Sequence, residues 1–454
     1  MRSSERKEQL MKSDKKEQRK KKVTEIKTFP VPLPVTSEEN QKNITIVTNT
    51  PITSSKEEII NQAFKFHSKG NIQKAEKYYQ YFIDRGFSDH NVFSNYGVIL
   101  KNLGKLKEAE LFQRKAIQIK PDYADAYSNL GVIMNDLGKL KEAELSQLKA
   151  IELDPKKKSI KNNLITLLTI YEPKVTSSNL LYVINEEFKN LSLRKTDNYM
   201  ITDREVIQLY KNGLEIYRKY NLDLETPLSQ IYKQNEINLN CDRHMLIFNQ
   251  KKIIPEFCFG CYKVQVEVNS IIELIKLFLV FNQLKLKNNN TRKSIIETRP
   301  NISGFYKGLI YCLGLTEALE ISKKLNVYIQ NNIRIDLISK VKRGCSEYPL
   351  EFPQYKEIKI SGNQPMNYNE KWRIIEKEID NGKKEWGKYS NSIKGFNLNN
   401  FLIMRNWVAY AQRIGDQSVN TITNEIIKGP RSYNYLDRVF IPNKAQKIQS
   451  NPCK

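Results

Sequence analysis

Histidine is scarce in this sequence: His67, His90 and His244 are the only three among 454 residues. A Ser–His or Cys–His catalytic pair is therefore poorly supplied. Cysteine is sparse too. Six residues are far too few for a disulfide scaffold, and a reducing, cytoplasmic compartment is the expectation. No run of about 18 apolar residues occurs, so no membrane-spanning helix and no membrane partner are expected. The opening MRSSERKEQLMKSDKKEQRKKK lacks the apolar stretch of a secretory signal, and none is expected. The sequence also lacks GxGxxG, a P-loop, HExxH, GxSxG and an Asp-x-Asp metal motif. The familiar nucleotide-binding and hydrolytic chemistries thus have no carrier.

Acidic residues are the minority charge. Lys and Arg total 74 against 50 Asp and Glu, a formal charge of +24. Such a balance favours polyanions through steering and counterion release. The excess is largely Lys, in a chain also rich in Asn and Ile. That is the mark of AT-rich coding, which raises the charge without any partner. Hydrophobic residues at 40% suffice for a packed core.

Residues 1–55 combine a basic arm with a Pro/Thr/Ser/Asn stretch and predict a disordered leader. From about 56 the apolar spacing becomes helical. Gly70, Gly104 and Gly138 are one period of 34 apart, as are Ala75, Ala109 and Ala143, and the nine residues LGKLKEAEL occur twice. The spacing predicts helix pairs. Gly ends the first helix of each pair, Ala lets the second pack closely, and Pro121 and Pro155 stop it.

These residues resemble the tetratricopeptide repeat (TPR) family. Tyr127, Leu130, Gly131, Ala143, Ala150 and Pro155 match its pattern, and so do Phe93, Tyr96, Gly97, Ala109, Ala116 and Pro121. The first repeat is degenerate, with Ala63, Phe82 and Phe87 at the Gly, Ala and Pro positions. Repeats at 56–89, 90–123 and 124–157 with a capping helix at 158–171 imply a curved solenoid with a concave, peptide-binding face. Asn61, Asn95, Asn129 and Asn163 share one offset on the first helix. They resemble the asparagine ladder of O-linked N-acetylglucosamine transferases, which implies pairing with a peptide backbone.

Residues 172–240 predict a helical bridge. Within 241–353, strands are expected over 262–268, 293–298, 307–313 and 334–344, with helices over 270–286 and 316–330. The order is βαββαβ, ferredoxin-like, with strand order 4-1-3-2. This places Cys258, Cys261, Cys312 and Cys345 at one sheet edge, where four thiolates could hold zinc or, as the lesser alternative, an iron–sulfur cluster. A rival zinc set is Cys241, His244, Cys258 and Cys261. Strand alternation puts Cys312 and Cys261 on different faces, against the first set. The sheet's other face would carry Lys263, Gln265, Glu267, Glu297, Lys307, Tyr311, Asp336 and Lys340 as an open polar surface. RNA-recognition domains share this strand order, but of their stacking aromatics only Tyr311 is present. Residues 354–454 predict a helical segment and an irregular tail.

The expected fold class is α+β: an all-α repeat solenoid, a helical bridge, a ferredoxin-like domain and a helical C-terminal segment. The leading function is an adaptor binding a protein or peptide in the repeat groove. The alternatives are an enzyme whose repeats recruit its substrate, and an RNA-binding protein.

Overall fold

The computed structural model describes residues 55–174, 179–191, 200–235, 239–299, 302–380 and 390–427, together with 237, 388 and 429. The expected leader and the last 25 residues of the tail, like Trp386, lie outside these, apart from Ser55. The chain divides into two compact units, residues 1–129 and 130–454, with the boundary inside one helix of the third repeat.

In the first unit, α1 (Lys56–Ser68) pairs with α2 (Ile72–Asp84), and α3 (His90–Asn102) with α4 (Leu106–Ile119). α5 (Ala124–Asp136) begins the next pair. Starts at 56, 90 and 124 keep the 34-residue step. Ser55 opens α1 with a capping box to Glu58. Gly70 and Gly104, at φ 70° and 74°, supply the left-handed residue that ends α1 and α3. Ala75 and Ala109 are wholly buried at the helix crossings. Where the first repeat departs from the pattern, Phe82 packs on Phe87, ring centroids 5.4 Å apart, and fills the same space with aromatic bulk.

A polar network lies inside this unit. Ser94 Oγ donates to Gln113 Oε1 at 2.9 Å, and Gln113 Nε2 donates back to the Ser94 carbonyl at 2.8 Å. Both residues are buried, so these bonds satisfy groups that would otherwise be costly. Gly97 makes room for them: a Cβ there would stand 2.5 Å from Gln113 Nε2.

The second unit repeats the arrangement one period later. α6 (Leu140–Leu153) and α7 (Lys158–Leu167) start 34 residues after α4 and α5, and a Cβ on Gly131 would collide with Gln147. Buried Glu144 on α6 accepts the Tyr171 and Tyr182 hydroxyls, each at 2.9 Å, and Lys141 Nζ at 2.9 Å. Burial pushes its carboxyl up, but these donors outweigh it and hold it below the usual range. The carboxylate thereby ties α6 to α8 (Leu180–Lys189), which carries Tyr182.

After α9 (Asp203–Lys219) the expected helical bridge instead supplies a strand, β1 (Gln230–Lys233). It follows Pro227, which interrupts helix, and its four residues are of mixed polarity. α10 (Cys241–Lys251) and the single turn α11 (Glu256–Phe259) lead to β2 (Cys261–Val268), α12 (Ile271–Gln283), β3 (Arg292–Ile296), β4 (Tyr306–Leu313), α13 (Leu315–Asn332) and β5 (Lys340–Arg343). The sheet has five strands in the order β1-β3-β4-β2-β5, every neighbour antiparallel. β1 is the strand the βαββαβ reading lacked. β5 is shorter than the expected 334–344, because 334–339 are taken up by the turn after α13. α14 (Trp372–Asp380), α15 (Leu398–Ile414) and the turn α16 (Val419–Ile422) follow. Trp407 is fully buried and donates Nε1 to the Ser229 carbonyl at 2.8 Å, a core role.

Strand parity sorts the sheet's side chains. Val264, Val266, Ile310, Cys312 and Arg292 face α12 and α13. Arg292 is 1% exposed and donates to the carbonyls of Phe281 and Leu284 at 2.5 and 2.6 Å, which closes the C-terminal end of α12. The opposite face corrects the expectation of an open surface: Lys263, Gln265, Glu297 and Lys307 are all buried. Glu267 and Lys340 are exposed, and Asp336 lies off the sheet.

The close approach at Gly97 yields a signed prediction. In an unhindered helix Gly→Ala stabilises by about 1 kcal/mol. Here the buried Gln113 amide cannot retreat without breaking its bonds to Ser94, so Gly97→Ala should destabilise by about 1–3 kcal/mol. In urea unfolding, the Gln113→Ala background should relieve much of that loss.

Candidate functional site

Two places hold candidate functional side chains, one in each unit. In the first, Asn61 is exposed, and Asn95 and Asn129 are half-buried. Asn129 Nδ2 donates to Ser94 Oγ at 3.1 Å, and Asn95 is a neighbour of Tyr79, whose hydroxyl meets His67 Nδ1 at 3.1 Å. The shared offset therefore serves contacts between repeats. A primary amide has four bonding positions, so both keep capacity for a further partner. Asn163 belongs to the second unit, where it is half-buried with a partner of its own.

In the second unit, the buried polar face of the sheet gathers an unusual row. Tyr232 on β1 stands opposite Lys293 on β3, and Tyr311 on β4 stands opposite Lys263 on β2. The Lys293 ammonium lies 5.6 Å from the Tyr232 ring centre and 5.5 Å from that of Tyr311. Lys263 is 7% exposed. Burial lowers its pKa to about 8, with Lys293 and Lys342 adding repulsion and Cys345 and Glu347 opposing it. Burial lowers Lys293 as well and drives the Tyr311 phenol well above its usual value. Tyr311 nevertheless stays partly exposed, so the row lines a recess.

Farther along this face the charges are paired. Glu297 meets Arg299 at 2.8 Å and Lys307 at 3.2 Å. Burial would raise its carboxyl, but the two cations bring it down to about 2. Glu347 is held by Arg299 at 2.9 Å.

The thiols border the recess. Cys258 and Cys345 are interacting neighbours, and Cys258 Sγ lies 3.3 Å from the Tyr348 hydroxyl. The neighbouring Cys258 and Tyr348 bring the Cys345 thiol down, while the proximity of Cys345, followed by burial, pushes Cys258 up. Cys261 and Cys241 are electrostatic neighbours of Cys345, and burial pushes the Cys241 thiol up to about 11. Cys312 stands opposite Tyr262 on the helix-covered face, and burial pushes it up to about 12. The structure thus brings together Cys258, Cys261 and Cys345 and leaves Cys312 on the other side. Of the rival set, His244 is buried and stacks on Phe257 with centroids 5.1 Å apart. Among the described residues, no three His, Cys, Asp or Glu side chains are disposed to hold a metal ion.

Sequence reasoning missed Lys293 and Tyr232. Tyr232 was hidden by the unrecognised β1. Lys293 was within reach: in KSIIE, parity places it with Ile295 and Glu297, the latter already assigned to the polar face.

The family model of the tetratricopeptide repeat matches residues 90–123 and 124–157. Among solved structures, the chain is similar to the TPR domain of Arabidopsis OM64, at 22% identity over 25% of this chain and 93% of that one, TM-score 0.24. It is similar to the TPR2B domain of yeast Sti1 in a pHsp70 complex, at 21% identity over 25% and 94%, TM-score 0.24. It is also similar to the second TPR domain of human RPAP3 with an HSP70 peptide, at 23% identity over 24% and 91%, TM-score 0.23. No curated protein matches the chain.

His244 gives the pH prediction here. Burial lowers its pKa from 6.5 to about 4, and Arg243 beside it adds to the shift. The folded state thus keeps His244 neutral where the unfolded state binds a proton. Its contribution is complete above pH 6.5 and is lost as pH falls toward 4, on the order of 2–3 kcal/mol. His244→Gln should flatten the unfolding free energy over that window relative to the parent, and parallel curves would contradict this.

Proposed function

We propose, from the membership of residues 90–157 in the tetratricopeptide-repeat family, that the chain is an adaptor whose repeats bind an extended peptide or a protein segment. The observation that carries this is the recurrence of a half-buried amide at one helical offset, at Asn95 and Asn129, both set against a neighbouring repeat, with Asn129 bonded to Ser94 and both with bonding capacity left over. An amide held by its neighbour is pre-oriented, so a ligand backbone would meet it at little entropic cost. Asn61 and Asn163 extend the series by one period each way, as in the transferase arrays that the ladder resembles. The repeats would recruit, and the α+β unit, which we class as ferredoxin-like with an added edge strand, would carry the second activity. A cytoplasmic location suits this role.

A displayed peptide library panned on the full chain tests the reading. The best ligand should lose about tenfold or more in affinity with Asn95→Ala plus Asn129→Ala, the equivalent of one good hydrogen bond or more. The unfolding midpoint must stay within a few degrees for the loss to count. Undiminished affinity in the double variant would remove these asparagines from the site.

A further inference from the structure

The geometry points to a phosphate-monoester site in the recess of the sheet, with Lys263, Lys293 and Tyr311 as its donors. Buried charges in proteins are ordinarily paired, because an uncompensated one is expensive. On this same face buried Lys307 and Glu297 follow the rule by pairing with each other at 3.2 Å. Lys263 and Lys293 do not. Among the described residues neither makes a hydrogen bond or an ion pair within 4 Å, though Lys263 is more than nine-tenths buried. The nearest carboxylate acting on both is Glu347, already committed to Arg299 and to the Ser346 backbone N–H.

Neither ammonium is sealed in: neither Nζ is among the buried polar atoms that lack a partner, and the Tyr311 hydroxyl is not among them either. Among the described residues, none of the three tips has a hydrogen-bond or ion-pair partner. Cross-strand pairing sets Lys263 directly against Tyr311, and Lys293 leans over the Tyr311 ring. Two cations and a phenol in one row call for a ligand with two negative charges and several acceptor oxygens. A carboxylate brings one charge, whereas a phosphate monoester brings nearly two at neutral pH. The flanking Tyr232 ring gives the organic part of such an ester an aromatic wall.

This site is independent of peptide binding by the repeats. Inorganic phosphate is the probe, titrated calorimetrically into the full-length protein at constant ionic strength, with chloride as the competing anion. That control matters for a chain of formal charge +24. Saturable binding is expected, weakened at least about tenfold by Lys263→Met or Lys293→Met, as for loss of a hydrogen bond to a charged group. Lys342→Met removes an exposed cation directly opposite Lys263 and should change affinity less than about twofold. In the unmutated protein, trinitrobenzenesulfonate labelling of Lys263 should be slowed by phosphate and not by chloride. This arm stands even if the methionine variants misfold. Equal effects of phosphate and chloride, or unchanged labelling of Lys263, would overturn the assignment.

Discussion

Much of the second unit depends on how Arg292 is held. Among the described residues its buried guanidinium pairs with no carboxylate, and it donates to the carbonyls at the end of α12. The loss of water lowers its pKa to about 10, yet the partial negative charge of the helix end retains the cation. This clamp fixes which way β3 faces. A slip of one residue would exchange the two faces of the strand. With Arg292 toward the helices, Lys293 must point the other way, into the row with Tyr232 and Tyr311. The recess is thus a by-product of a helix cap on the opposite side of the same strand.

The first unit rests on a different device. Its helices pack through small residues, and the specificity of that packing comes from a buried hydrogen-bonded pair, Ser94 with Gln113. Asn129 reaches the same serine, so the offset that could serve a ligand also serves the architecture. The two roles are compatible because an amide can satisfy several partners at once. Much the same economy governs Glu144, which joins three donors around one carboxylate.

The repeats were legible from sequence because a period of 34 leaves several marks at once, in Gly, Ala, Asn and Pro. The strands between 261 and 313 were legible because their flanking helices and turns are short and their apolar content is high. β1 was not, since four residues of mixed polarity on a sheet edge carry little signal. The burial of Lys263 and Lys307 was not legible either. Lysine in a strand reads as solvent-facing, and only tertiary contacts show that the face is covered. The thiols were half legible. Position along the strands brought Cys258, Cys261 and Cys345 to one end of the sheet, and the parity that separates Cys312 from Cys261 could already be counted in the sequence.

The pairing of Gly97 with Gln113, and of Gly131 with Gln147, bears on how such an array can change over generations. Each glycine lies sixteen positions before its glutamine, within a single period. An in-phase genetic exchange between the second and third repeats therefore yields a hybrid that still matches a glycine to a glutamine. An out-of-phase exchange sets the glutamine amide against a residue with a Cβ, and the product fails to pack. The fit of one side chain against one missing methyl thus acts as a ruler on the gene, permitting growth and loss of the array only in whole steps of 34.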